Sequence, residues 1–170
     1  MAHGFDRHLH QHLSPDSDAH SRRDAGRLRN GLLRTILHHV GLGVLVGILL
    51  PLVTMPLARL FTPPGPPTHV TSAWLWWSFV QAPIEELIFR GGVQNLLGLI
   101  HPVIGVLGGA LLFGWAHGRT WVPALAGGVV YGVLYWRTRS LVTPIAAHLA
   151  NNTLLTIWVL VGAHWVPPSQ

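Results

Sequence analysis

The sequence predicts an all-α protein, a multi-pass transmembrane helical bundle of about five spans behind a disordered N-terminal tail. Three observations carry this expectation. Charged residues make up only 10% of the 170, where a soluble domain usually carries about 25%. Mean hydropathy is +0.41, and long apolar runs alternate with Pro- and Gly-rich turns. About 20 apolar residues cross a bilayer as helix, and backbone in lipid must satisfy its own hydrogen bonds. The chain has no cysteine, which excludes disulfides, thiolate catalysis and Cys-ligated zinc. The basic excess is all Arg and forms no continuous stripe, so a nucleic-acid partner is not expected.

Residues 1–30 are polar and lack a helical apolar period. They contain His3, His8, His10, His12 and His20, four Asp, and Arg22, Arg23, Arg27 and Arg29. The expectation is a flexible cytoplasmic tail ahead of a transmembrane domain over residues 31–170. No apolar core follows Met1, so the segment is not a signal peptide, and its His spacing matches no defined metal site. The first span is expected over residues 32–60. Gly41, Gly43 and Gly47 allow a neighbouring helix to approach, and Pro51 and Pro56 imply a kink or an early end. The five Arg between Arg22 and Arg34 predict a cytoplasmic N-terminus.

Residues 61–68 are proline-rich and read as an external loop. Trp74, Trp76 and Trp77 follow at the density expected of a headgroup layer. The second span covers residues 72–99, with Pro83 resetting the helix just before two acids. A turn over 98–102 leads to the third span, 103–117. A second turn over 118–123 leads to the fourth, 124–136. Arg137, Thr138, Arg139 and Ser140 close it, and the fifth span occupies 141–163.

From Asn30 onward, Glu85 and Glu86 are the only acidic side chains. Two adjacent acids at mid-helix cost about 2.5–3.5 kcal/mol each on insertion scales, so they demand partners and a purpose. Glu86 and Arg90 stand at i and i+4 with the acid first, the better order for a pair. Glu85 points about 100° away and is expected to stay free. Phe113 and His117 share a face of the third span. His148 and Asn152 share a face of the fifth, with Asn151 beside them. A carboxylate beside an imidazole can activate water, and an imidazole with a carboxamide can hold a developing oxyanion. Each pair alone suits a structural role. Their co-occurrence, in a chain with no other acid in its apolar part, is what points to chemistry.

Glu85-Glu86-x-x-x-Arg90, Phe113-x-x-x-His117 and His148-x-x-x-Asn152 resemble the motifs of the CPBP family, the CAAX protease and bacteriocin-processing proteins, also called Abi. The resemblance covers about residues 72–163. It implies an intramembrane endopeptidase of the CAAX prenyl protease type in the cell membrane, acting on a peptide or lipidated protein among membrane lipids. It also implies that Glu85 and His117 polarise water, that His148 and Asn152 form the oxyanion site, and that Glu86 and Arg90 brace the helix. The expected mechanism uses no metal, since the groups sit on three helices without an HExxH-type helix. Two His and one Glu nonetheless form a set able to ligate zinc. The other readings are a non-enzymatic membrane scaffold or bacteriocin self-immunity protein built on the same cluster, and a proton-coupled carrier. The carrier lacks the paired interrupted helices expected of inverted repeats.

Overall fold

In the computed structural model, which describes residues 15–62 and 71–160, the described residues are helices and short connections, with no strand. Helix α1 runs Pro15–Leu49, so the disordered tail expected over residues 1–30 is helix from Pro15 onward. The His-rich start, residues 1–14, lies outside the described range, as do the proline-rich residues 63–70 and the end of the fifth expected span beyond Leu160. The early start of α1 has a local cause. No proline falls between Pro15 and Pro51, and Ala25, Arg27, Leu28 and Arg29 are strong helix formers. Residues 23–37 are almost all exposed. Apolar periodicity reports a packed face, so an unpacked helix need not show it.

The chain divides into two compact units, Met1–Leu37 and His38–Gln170. The first contains the N-terminal part of α1. In the second, α1 ends at Leu49 and α2 spans Pro51–Phe61. Leu50 between them keeps helical dihedrals (φ −58°, ψ −37°), and its carbonyl accepts from the Val53 and Thr54 amides at 3.0 and 3.1 Å. Pro51 therefore removes a donor without ending the helical path, and Pro56 is accommodated inside α2.

Next come α3 (Ser72–Phe79), α4 (Gln81–Glu86), a π-helical segment (Leu87–Gln94) and α5 (Asn95–Gly98). Val80, Leu87 and Asn95 at their junctions have right-handed helical dihedrals, so the second expected span is a nearly unbroken helical path. Helix α6 (Pro102–Ala116) is capped by the His101 ring, whose Nδ1 accepts from the Val103 amide. A 3-10 turn over Gly118–Thr120 leads to α7 (Trp121–Thr138) and then α8 (Val142–Leu160).

Of the five expected spans, one stretch among the described residues, Arg23–Phe61, is long and apolar enough by itself to cross a bilayer. Helix α6 is apolar but has 15 residues. Helices α7 and α8 are longer, but Arg137 in one and His148, Asn151 and Asn152 in the other lower their hydropathy. The polar groups that suggest a function are what weaken the span signal.

Leu50, Phe113, Tyr131, Leu134 and Ala147 form the buried apolar centre of the second unit. Helix α8 packs tightly on α1 because Gly43 and Gly47 lack side chains. A Cβ at either position would overlap the carbonyl oxygen of Thr143 or Ala147. Gly41 faces open space instead.

Candidate active site

The π-helical segment sets Arg90 and Gln94, both buried, on one face. Such segments are rare and recur at functional sites. Arg90 Nη2 donates to the Gly128 carbonyl at 3.1 Å, and Gln94 Nε2 donates to the Gly132 carbonyl at 2.9 Å. The two acceptors are one turn apart on α7, as the two donors are on the segment, so two side-chain bonds fix the pairing of these helices.

Glu86 is fully buried. Its Oε2 lies 3.1 Å from Arg90 Nε, and its Oε1 lies 3.0 Å from His148 Nδ1. The Arg90 guanidinium stands 4.6 Å from the centroid of the Phe113 ring and 5.6 Å from that of Tyr131, so aromatic faces replace water around it. Glu85 is held differently. Its Oε1 accepts from Gln81 Nε2 at 2.6 Å, and its Oε2 lies 3.9 Å from His148 Nε2. His148 therefore stands between two carboxylates, one nitrogen toward each. An ionised carboxylate only accepts, which places a proton on Nδ1 facing Glu86. The imidazole stacks on Tyr131 at 4.9 Å and 20°.

His117 ends α6, and its Nδ1 lies 2.7 Å from the Phe113 carbonyl oxygen. A carbonyl accepts, so Nδ1 carries the proton and Nε2 is left as an acceptor. On α8, Asn152 Nδ2 donates to the Ser78 carbonyl at 2.5 Å, tying α8 to α3. Asn151 is buried, and its Oδ1 has no partner among the described residues.

His117, His148, Asn151 and Asn152 line one cavity of about 310 Å³. One face of α2, with Thr54, Met55 and Ala58, and one face of α7, with Pro123, Gly127 and Tyr131, complete its largely apolar wall. Glu85 does not line this cavity; its contact with it runs through His148. Glu85 and His117 make no direct hydrogen bond to each other; Glu85 meets Gln81 and His148, while His117 meets the Phe113 carbonyl. Glu85 is also not free, as the helix geometry suggested, but anchored by Gln81. The expected Glu86–Arg90 pair is present and extends to His148. Sequence reasoning missed Gln81 and Tyr131. Gln81 was findable, since it precedes Glu85 by four residues on the same helix face. Nothing local marks Tyr131. Among the described residues, no group of three His, Asp or Glu side chains comes together as a metal site would require.

A family model described as type II CAAX prenyl endopeptidase, Rce1-like, matches residues 67–154, slightly over half of the chain. Glu85, Glu86, Arg90, His117, His148 and Asn152 all fall inside that match. No curated protein and no solved structure gives a match.

Proposed function

The chain belongs to the Rce1-like family of type II CAAX prenyl endopeptidases, and on that footing we propose a multi-pass membrane endopeptidase. It hydrolyses a peptide bond in a prenylated or membrane-associated protein or peptide. The membrane setting draws support from the outer surface. On α6 alone Val103, Ile104, Leu107, Leu111, Leu112 and Trp115 are exposed, more apolar surface than water usually tolerates on one face. Arg22 to Arg34 orient the N-terminus toward the cytoplasm.

One observation carries the chemistry: Glu85 Oε2 and His148 Nε2, 3.9 Å apart beside the cavity. That spacing suits a carbonyl under attack. A water about 2.8 Å from the carboxylate and a carbonyl oxygen about 2.8 Å from the imidazole then lie at contact distance from each other. Glu85, steadied by Gln81, is the general base. His117 Nε2, an acceptor on the cavity wall, takes the second proton of the water as a hydrogen bond. The water oxygen bonds to the carbonyl carbon, and its departing proton goes to Glu85. In its doubly protonated form His148 donates from Nδ1 to Glu86 and from Nε2 to the oxyanion. The second N–H of Asn152, beyond the one donated to Ser78, completes that site. Collapse breaks the C–N bond, and Glu85 returns the proton to the leaving amine. Glu86 and Arg90 hold His148 in register. The proposal routes no step through a metal, and turnover is expected to survive a chelator.

The test is turnover of a farnesylated peptide by the purified protein in detergent and in vesicles. Glu85→Gln is expected to lower it by about 10²–10⁴-fold, the usual contribution of a positioned base, while the protein still inserts and unfolds at the wild-type midpoint. Near-wild-type turnover of that variant removes the hydrolytic reading.

A further inference from the structure

A second cavity, about 300 Å³, lies at the C-terminal end of α7, the end remote from His117. Gln94, Asn95, Leu99, Tyr135, Trp136 and Arg139 line it, together with Pro102 at the start of α6. We propose that it binds the phosphate headgroup of an anionic phospholipid. The proposal rests on the membrane reading and is independent of peptide hydrolysis.

Charge balance is the first argument. Between His38 and the C-terminus the acidic side chains are Glu85 and Glu86, and Gln81, Arg90 and His148 engage both. Arg137 and Arg139 close α7, and both carboxylates of this unit are already engaged elsewhere. Arg137 lies over the Trp136 ring at 5.5 Å, whereas the Arg139 side chain has no partner among the described residues. Within this unit they are therefore available to an anionic ligand. Basic pockets at the cytoplasmic ends of membrane helices take anionic headgroups for this reason.

Donor geometry is the second. The Tyr135 hydroxyl accepts from Asn95 Nδ2 at 2.9 Å, so its own proton remains to be donated. Tyr135 and Arg139 are one turn apart, joined by the Arg139 amide to the Tyr135 carbonyl at 2.8 Å. Arg139 is left-handed (φ 53°, ψ 27°), at a helix C-terminus where glycine or asparagine is usual. An arginine there is strained where glycine is not, and such an outlier asks for a functional reason. A hydroxyl and a guanidinium converging on one cavity make a phosphate-binding pair.

The apolar rim separates a lipid from free phosphate. Leu99 and Ile100 are 83% and 73% exposed, where acyl chains below a bound headgroup would run. Inorganic phosphate has no use for them.

The experiment is native mass spectrometry of the full chain, released from micelles containing phosphatidylglycerol or phosphatidylcholine, with and without inorganic phosphate. Wild type is expected to retain phosphatidylglycerol about five- to tenfold better than phosphatidylcholine, and phosphate is expected not to displace it. Arg139→Gly keeps the left-handed turn without strain, so it should fold at least as well while losing the preference. Tyr135→Phe should weaken it, and Arg59→Gln, on α2, should not. Equal retention of the two lipids by wild type overturns the proposal, as does an unchanged preference in Arg139→Gly. Displacement by phosphate replaces the lipid by the free anion and overturns the lipid assignment.

Discussion

The buried pair of Glu86 and Arg90 makes the sharpest test of how the site is held. Their charges stand 3.1 Å apart with side-chain exposures of 0% and 1%. At an effective dielectric constant of about 20, that separation gives an attraction of about 5 kcal/mol. Desolvating two ions offsets most of it, so the pair adds little net stability. Breaking it is another matter. Arg90→Met leaves a buried carboxylate whose remaining neighbour is His148, and Glu86→Gln leaves a guanidinium with one carbonyl and two rings. Each single substitution should lower the unfolding free energy by about 3–5 kcal/mol, a large part of the 5–15 kcal/mol typical of a whole domain. The double variant strands no charge, and its glutamine still accepts from His148 Nδ1. It should cost no more than either single variant, a coupling of about 3 kcal/mol. Chemical unfolding in micelles, followed by tryptophan fluorescence, measures all four corners of the cycle. Losses that add to within about 0.5 kcal/mol would show that the two side chains are not coupled, and the account of a charge-held scaffold for His148 would fail.

Three further outcomes follow from particular contacts. Gln81→Ala removes the 2.6 Å donor to Glu85 and should lower kcat about tenfold with little change in KM, because only the aim of the base is affected; a KM effect alone would make Gln81 a substrate contact. Gly47→Val drives a side chain into the Ala147 carbonyl and should destabilise by at least about 1–3 kcal/mol, whereas Gly41→Ala, with open space around it, should be nearly neutral; equal unfolding midpoints would disprove the close α1–α8 contact. Asn152→Ala leaves the Ser78 carbonyl without its donor and should cost about 1–3 kcal/mol as well as activity, read from unfolding and turnover on the same preparation.

Which polar side chains share a helix face could be read from the order of residues, because that follows from a period of 3.6 residues and nothing else. Glu86 meets Arg90 one turn on, His117 rests on the Phe113 carbonyl one turn back, and His148 and Asn152 open onto the same cavity. The helical character of the chain was legible for the same reason, though not the start of α1, where a polar stretch carries no apolar stripe to read. Tertiary structure decided which partners meet across helices. His148 went to Glu86 and Glu85, Arg90 to the Gly128 carbonyl, and Asn152 to the backbone of α3. Those meetings depend on how closely two helices approach and at what register. Glycines at 43 and 47 and carbonyls at 128 and 132 set that approach, and no local pattern says which distant surface will be laid against them.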